Sequence, residues 1–174
     1  MLHTLRAMDL LPSLISAIAD GDMTCVARIR EIFRENRPKE NALFAIADWH
    51  KNRGRFDKAI LFYLRSLSLS PWLQSTYAGL SDCLWATGQQ AAAIEVDLKC
   101  IELAPNMERH WVRGGMRMLE VGRCEEALSL FGKAVIAVPE GAAVHRGIET
   151  VFERVGRLAE GTAARARAEE LEQR

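Results

Sequence analysis

The sequence has no apolar run approaching the ~20 residues that a membrane-spanning helix needs. It has no excess of either charge sign: 23 Lys and Arg balance 23 Asp and Glu. The first absence excludes a membrane span. The second argues against a general binder of nucleic acid or of anionic membranes, which needs a basic surplus, and leaves local charged patches open. Cysteine is scarce, at Cys25, Cys83, Cys100 and Cys124. None forms a CxxC, and no histidine stands at metal-ligand spacing from one, so no metal site is expected. Free thiols in a reducing, cytoplasmic compartment are the expectation, with Cys83 and Cys100 at least partly buried and Cys25 the most exposed. Also missing are GxSxG, a Walker glycine loop and HExxH. The adjacent pairs Glu125–Glu126 and Glu169–Glu170 diverge on a helix rather than converge on a substrate. No catalytic residue and no cofactor is expected, and the chain reads as a non-enzyme.

What is present is a period. The runs GRFDKAI, GQQAAAI, GRCEEAL and GRLAEGT begin at Gly54, Gly88, Gly122 and Gly156, a step of 34 each time. Of only five prolines, Pro71, Pro105 and Pro139 keep the same step, each 17 residues after its glycine. Two breaker types sharing one period signal an internal repeat. After each glycine, apolar residues fall at helical spacing, as in Phe56, Ile60, Tyr63 and Leu67. The proline stops that helix, and a second helical stretch leads to the next glycine. Each unit is therefore helix, turn, helix, with the glycine in the sharp turn. Small residues recur where helices must approach: Ala59, Ala93, Ala127 and Gly161; Ser66, Cys100, Ala134 and Ala168; Ala47, Ser81 and Gly115. Large ones recur as core: Leu43, Tyr77, Trp111 and His145; His50, Leu84, Met118 and Phe152. A chain of 174 residues, 49% of them hydrophobic, is long enough to bury such a core.

One segment, HWVRGGMRMLEVG from His110 to Gly122, combines a weakness with a charged stripe. Gly114 and Gly115 interrupt a helix, at roughly 1 kcal/mol each relative to alanine. Gly115 holds a small-residue site where close backbone contact offsets that cost. Gly114 stands where Ile46, Leu80 and Ile148 stand in other units, so a shallow void or a bend is expected there. Arg109, Arg113 and Arg117 follow at steps of four, and Arg117 drifts about 80° from Arg109, toward the rim of that face.

This pattern resembles the tetratricopeptide repeat family over roughly residues 40 to 171. With position 1 at Glu40, Gln74, Glu108 and Ala142, the family wants an aromatic or apolar residue at 4. It wants small residues at 8, 20 and 27, Gly at 15, an aromatic at 24 and Pro at 32. Departures are Asp97 at position 24 of the second unit, and Glu149, Gly161 and Arg165 in the fourth. The resemblance implies an all-α fold, an α-solenoid built as a right-handed superhelix of helix-turn-helix repeats at 40–73, 74–107, 108–141 and 142–174. The last repeat is degenerate and serves as a C-terminal cap. Residues 1–39 read as N-terminal capping helices or a degenerate repeat, since Gly21 and Pro38 are again 17 apart. The N-terminus loosely imitates a secretory signal, but Asp9 and Pro12 interrupt it, and an amphipathic first helix is the reading adopted.

In this family the first helices line a concave groove at positions 2, 5, 6, 9, 12 and 13. Carried onto this chain, the resemblance implies a peptide-binding groove with Asp48, Asp82, Trp85, Arg109, Arg113, Met116, Arg146 and Thr150. It would be acidic toward one end and basic toward the other, with Trp85 as an anchor. Two outcomes stay open: the charges bind a ligand, or Asp82 pairs with Arg113 or Arg109 and binds nothing. Some members clamp a terminal carboxylate. Here Phe44, Asp48 and Gly79 stand where that clamp needs basic and amide groups, so chaperone C-termini are not expected ligands. The expected function is a protein-interaction adaptor or scaffold with a protein or peptide partner and no nucleic acid. Alternatives are a homo-oligomer that stacks end to end, or an accessory module placing a separate enzyme such as a glycosyltransferase or a secretion component.

Overall fold

The computed structural model describes residues 39–173, with Ala27 the only earlier residue described. The expectations for residues 1–38, the capping helices, the amphipathic segment and Cys25, lie outside the described residues. The chain divides into two compact units, residues 1–88 and 89–174. In the first, α1 (Lys39–Asn52), α2 (Phe56–Leu69) and α3 (Gln74–Ala86) pack in sequence. The second holds α4 (Gln90–Leu103), α5 (Glu108–Glu120), α6 (Cys124–Ala137), α7 (Ala142–Arg154) and α8 (Leu158–Glu172). There, consecutive helices pack on one another and α5 also packs on α7. No strand occurs among the described residues.

The turn chemistry follows from the glycines. Gly122 has φ +84°, a left-handed conformation that a side chain resists. Its N–H donates to Leu119 O at 3.1 Å, while Arg123 N donates to Met118 O at 2.8 Å. Those two bonds cap α5 in the Schellman pattern and reverse the chain toward α6. Gly54 and Gly156 make the same pair of bonds at the ends of α1 and α7.

Small residues then let helices close. Ala59, Ala93 and Ala127 are fully buried, as are Ser66, Cys100, Ala134 and Ala168. The Ser66 hydroxyl donates to Glu40 O at 2.8 Å, so this buried polar atom is satisfied. Gly115 has no room for a side chain, because a Cβ there would collide with Phe131 Cζ. Gly147, on α7, meets the same ring from the other side. Phe131 thus wedges between two glycines of different helices. Gly79 and Tyr63 repeat half of this arrangement in the first unit. Gly114 differs: a Cβ would meet Leu130, Ile101 and Asp97 at 3.4, 3.6 and 3.7 Å, which is ordinary contact. The site has room for a methyl group.

Trp111, Met118, Leu84 and Leu43 are core residues, and Trp111 Nε1 donates to Pro105 O at 2.7 Å. His50 is buried, whereas Tyr77 and His145 are only half-buried.

Candidate functional site: the first-helix faces and a buried carboxylate

The arginine stripe on α5 resolves into one exposed and two engaged side chains. Arg113 Nε donates to Asp97 Oδ1 at 2.7 Å, and Arg113 Nη2 lies 3.5 Å from Cys100 Sγ. Arg117 Nη1 donates to Asp97 Oδ2 at 2.8 Å. Asp97 is completely buried, and Arg117 is buried with it. The expectation that Arg117 reaches the rim is therefore corrected. Its long stem folds inward, because a buried carboxylate on α4 needs a second positive partner. A lone carboxylate in the interior costs several kcal/mol, and two charge-assisted bonds offset that loss.

The repeat period explains why this cluster sits here. Position 24 carries Tyr63, Asp97, Phe131 and Arg165. Position 6 of the following unit carries Gly79, Arg113 and Gly147. An aromatic at 24 meets glycine at 6, whereas the short Asp97 meets a long arginine. Two of the fourth unit's three departures pair likewise: Arg165 bonds Glu149 through Nε and reaches Glu153 Oε1 at 3.0 Å through Nη2.

Of the other residues assigned to the groove, Asp48 and Asp82 are half-buried on α1 and α3. Asp48 accepts from Tyr63 OH at 2.5 Å and from Lys51 Nζ at 3.3 Å. Burial, then the Asp48 hydrogen bond, pushes the Tyr63 hydroxyl well above the ordinary phenol range. Burial also raises the Cys83 thiol to about 11, so it is no nucleophile at neutral pH. Trp85 is half-buried on α3. On α5, Arg109 is exposed and has no ion-pair partner among the described residues, and Met116 is half-buried. On α7, Arg146 makes a bidentate pair with Glu172, at 2.8 and 2.7 Å. Thr150 donates its hydroxyl to Arg146 O at 2.9 Å. Of the three second-unit arginines assigned to the groove, then, Arg113 and Arg146 are already neutralised, and Arg109 has no ion-pair partner among the described residues.

Two further residues were not singled out by the sequence. Glu108 Oε1 accepts from Ala143 N at 2.7 Å and Val144 N at 3.2 Å. It caps α7 from the start of α5, satisfying orphan amides and opposing the helix dipole. Gly141 leaves room for it, since a Cβ there would lie 2.9 Å from that oxygen. His110 is 1% exposed, and neither ring nitrogen has a hydrogen-bond partner among the described residues. Burial, then Arg113 and Arg109, lowers its pKa below 6.5. Among the described residues no group of His, Cys, Asp and Glu could hold a metal ion, and no helix is long and apolar enough to cross a membrane.

Profiles described as tetratricopeptide repeats match residues 42–77 and 74–107. Residues 42–107 carry tetratricopeptide repeats. Its fold is that of an all-α solenoid of helical hairpins, and solved structures share it. A crystal structure of MamA is similar with a TM-score of 0.71 at 17% identity, over 91% of this chain and 93% of that one. MamA from Desulfovibrio magneticus RS-1, residue 41 to the end, gives 0.69 at 18% identity, over 97% and 96%. No curated protein sequence matches. The tetratricopeptide repeats make the chain a protein-interaction scaffold or adaptor in the general sense, whose ligand the fold alone does not name.

Proposed function

We propose that this chain is a non-enzymatic adaptor that binds a protein segment through its first-helix faces, the faces the family resemblance assigns to the groove. The proposed repeat limits are 40–73, 74–107, 108–141 and 142–174. Helix starts at Lys39, Gln74, Glu108 and Ala142 support them. In the second unit the binding face is that of α5 and α7, with Arg109, Arg113, Met116, Arg146 and Thr150. In the first unit it carries Asp48, Asp82 and Trp85. One observation carries the reading: Arg109 is exposed and unneutralised on a helix whose other two arginines are committed to Asp97. An open guanidinium two turns before half-buried Met116 on the same helix face suits an acidic segment with an apolar residue.

The test is capture of partners from native extract by the wild type and by Arg109→Glu. Arg109→Glu spares the Asp97 cluster, which Arg113→Glu would break. Loss of the acidic partners in the variant supports the reading; equal recovery by both proteins removes it.

A second reading, self-association, is favoured by Val155 and Leu158, which stand exposed at the α7–α8 turn. Light scattering across a concentration series decides it, since a constant monomer mass discards it.

A further inference from the structure

Three large apolar side chains of the first unit face water: Leu61 at 47%, Leu64 at 51% and Trp72 at 76% exposure. Leu61 and Leu64 are three apart on α2, so they share one face. Trp72 lies in the turn that follows. The repeat fold does not require them, and the chain supplies its own comparison. Leu61's place holds Glu95, Ser129 and Ala163 in the other units. Trp72's place holds Asn106 and Glu140, and Leu64's holds Leu98, Gly132 and Ala166. Leu98 is half-buried, and the rest are polar or small. Only the first unit places apolar bulk at all three.

We infer that the outer face of α2, with Trp72, is a second docking surface, and that it takes a short amphipathic helix with an acidic flank. Size and charge argue for that occupant. The three side chains offer on the order of 300 Å² of apolar area, the scale of a functional patch on a monomer. A stable dimer needs about 800 Å² from each partner, so a second copy of this chain is a poor fit and a single helix a good one. Such a helix presents anchors one turn apart, the spacing of Leu61 and Leu64. Asp57 sits in the first turn of α2, where the helix dipole favours it. Lys58, three residues before Leu61 on the same helix, is exposed without an ion-pair partner among the described residues. It selects against a basic segment and for an acidic one.

The test uses the full chain and a synthetic helical peptide of about 20 residues, with leucine along one face and glutamate on the other. Its lysine counterpart serves as control. Calorimetric titration should give micromolar binding of the glutamate peptide, at least tenfold tighter than the lysine peptide. Leu61→Asp/Leu64→Asp and, separately, Trp72→Ser should each weaken it at least tenfold while circular dichroism stays unchanged. The same variants made in an Arg109→Glu background should weaken it by the same factor, which separates this surface from the first-helix face. The proposal is overturned if the glutamate peptide does not bind, if the lysine peptide binds as well, or if neither variant changes the affinity. It also falls if Leu61→Asp/Leu64→Asp abolishes a concentration-dependent dimer, or abolishes sedimentation with phosphatidylglycerol vesicles. Those outcomes would assign the face to a second copy or to a lipid surface.

Discussion

Arg113 Nε lies 2.7 Å from Asp97 Oδ1, in the place where the next unit sets Gly147 against the Phe131 ring. The two arrangements fill the same position in the repeat with opposite chemistry. One is a bulky apolar ring against bare backbone. The other is a short carboxylate against a long cation, with Arg117 completing it from below.

Breaking the charged version from one side should be costly. Asp97→Ala leaves two guanidinium groups facing each other without their carboxylate, an expected loss of about 3–5 kcal/mol. Converting the whole cluster should not be. The triple change Asp97→Phe/Arg113→Gly/Arg117→Val copies Phe131, Gly147 and Val151, and should lie within about 1 kcal/mol of the wild type or above it. Urea denaturation of both proteins checks this. A triple variant as unstable as Asp97→Ala would show that more than local complementarity holds the cluster.

The adjacent glycines of α5 should respond oppositely to alanine. Gly115→Ala forces a methyl into Phe131 and should cost about 1–3 kcal/mol. Gly114→Ala meets its neighbours at ordinary contact distance and restores helix propensity, so about 0.5–1 kcal/mol of stabilisation is expected. Thermal melts give the two signs directly.

Acid should weaken the second unit through His110. Its folded pKa is depressed below 6.5 by burial and by Arg113 and Arg109, with Asp97 opposing. The unfolded chain therefore takes up a proton that the folded chain refuses. This contribution is full above pH 6.5 and is lost as pH falls below it. His145, lowered by burial and by Arg167, acts in the same direction. Stability measured from pH 7 to pH 5 should fall in the wild type and fall less in His110→Phe. An unchanged slope in that variant would place the acid sensitivity elsewhere.

Glu108→Gln should loosen the start of α7 while leaving the core intact. The expected cost is about 0.5–2 kcal/mol, that of a lost helix cap. Amide exchange at Ala143 and Val144 should speed up more than exchange in α6. Uniform acceleration across the unit would contradict a capping role.

The fold was open to reading because its two punctuation marks, glycine and proline, keep one spacing, and because small residues recur in phase with them. Gly115 was legible for that reason, since Ala47 and Ser81 hold its place in other units. The site was less legible. Asp97 was visible as an oddity, but a departure names a residue without naming its partner. The clue lay one repeat on, where Arg113 interrupts the Gly79 and Gly147 series. Arg117 was misplaced because angle along a helix says where Cα points, while a flexible four-bond stem decides where the charge ends. Glu108 and His110 left no trace in the period at all. Their roles depend on a helix start 35 residues away and on burial, neither of which spacing encodes.

The match between Asp97 and Arg113 also limits what can stand next to what. Were the 108–141 segment spliced directly behind 40–73, Arg113 would arrive where the Tyr63 ring expects bare backbone. Its guanidinium would find no acid waiting. The modules look interchangeable by length, yet they are keyed like successive links of different gauge, and shuffling or duplicating them would jam the joint.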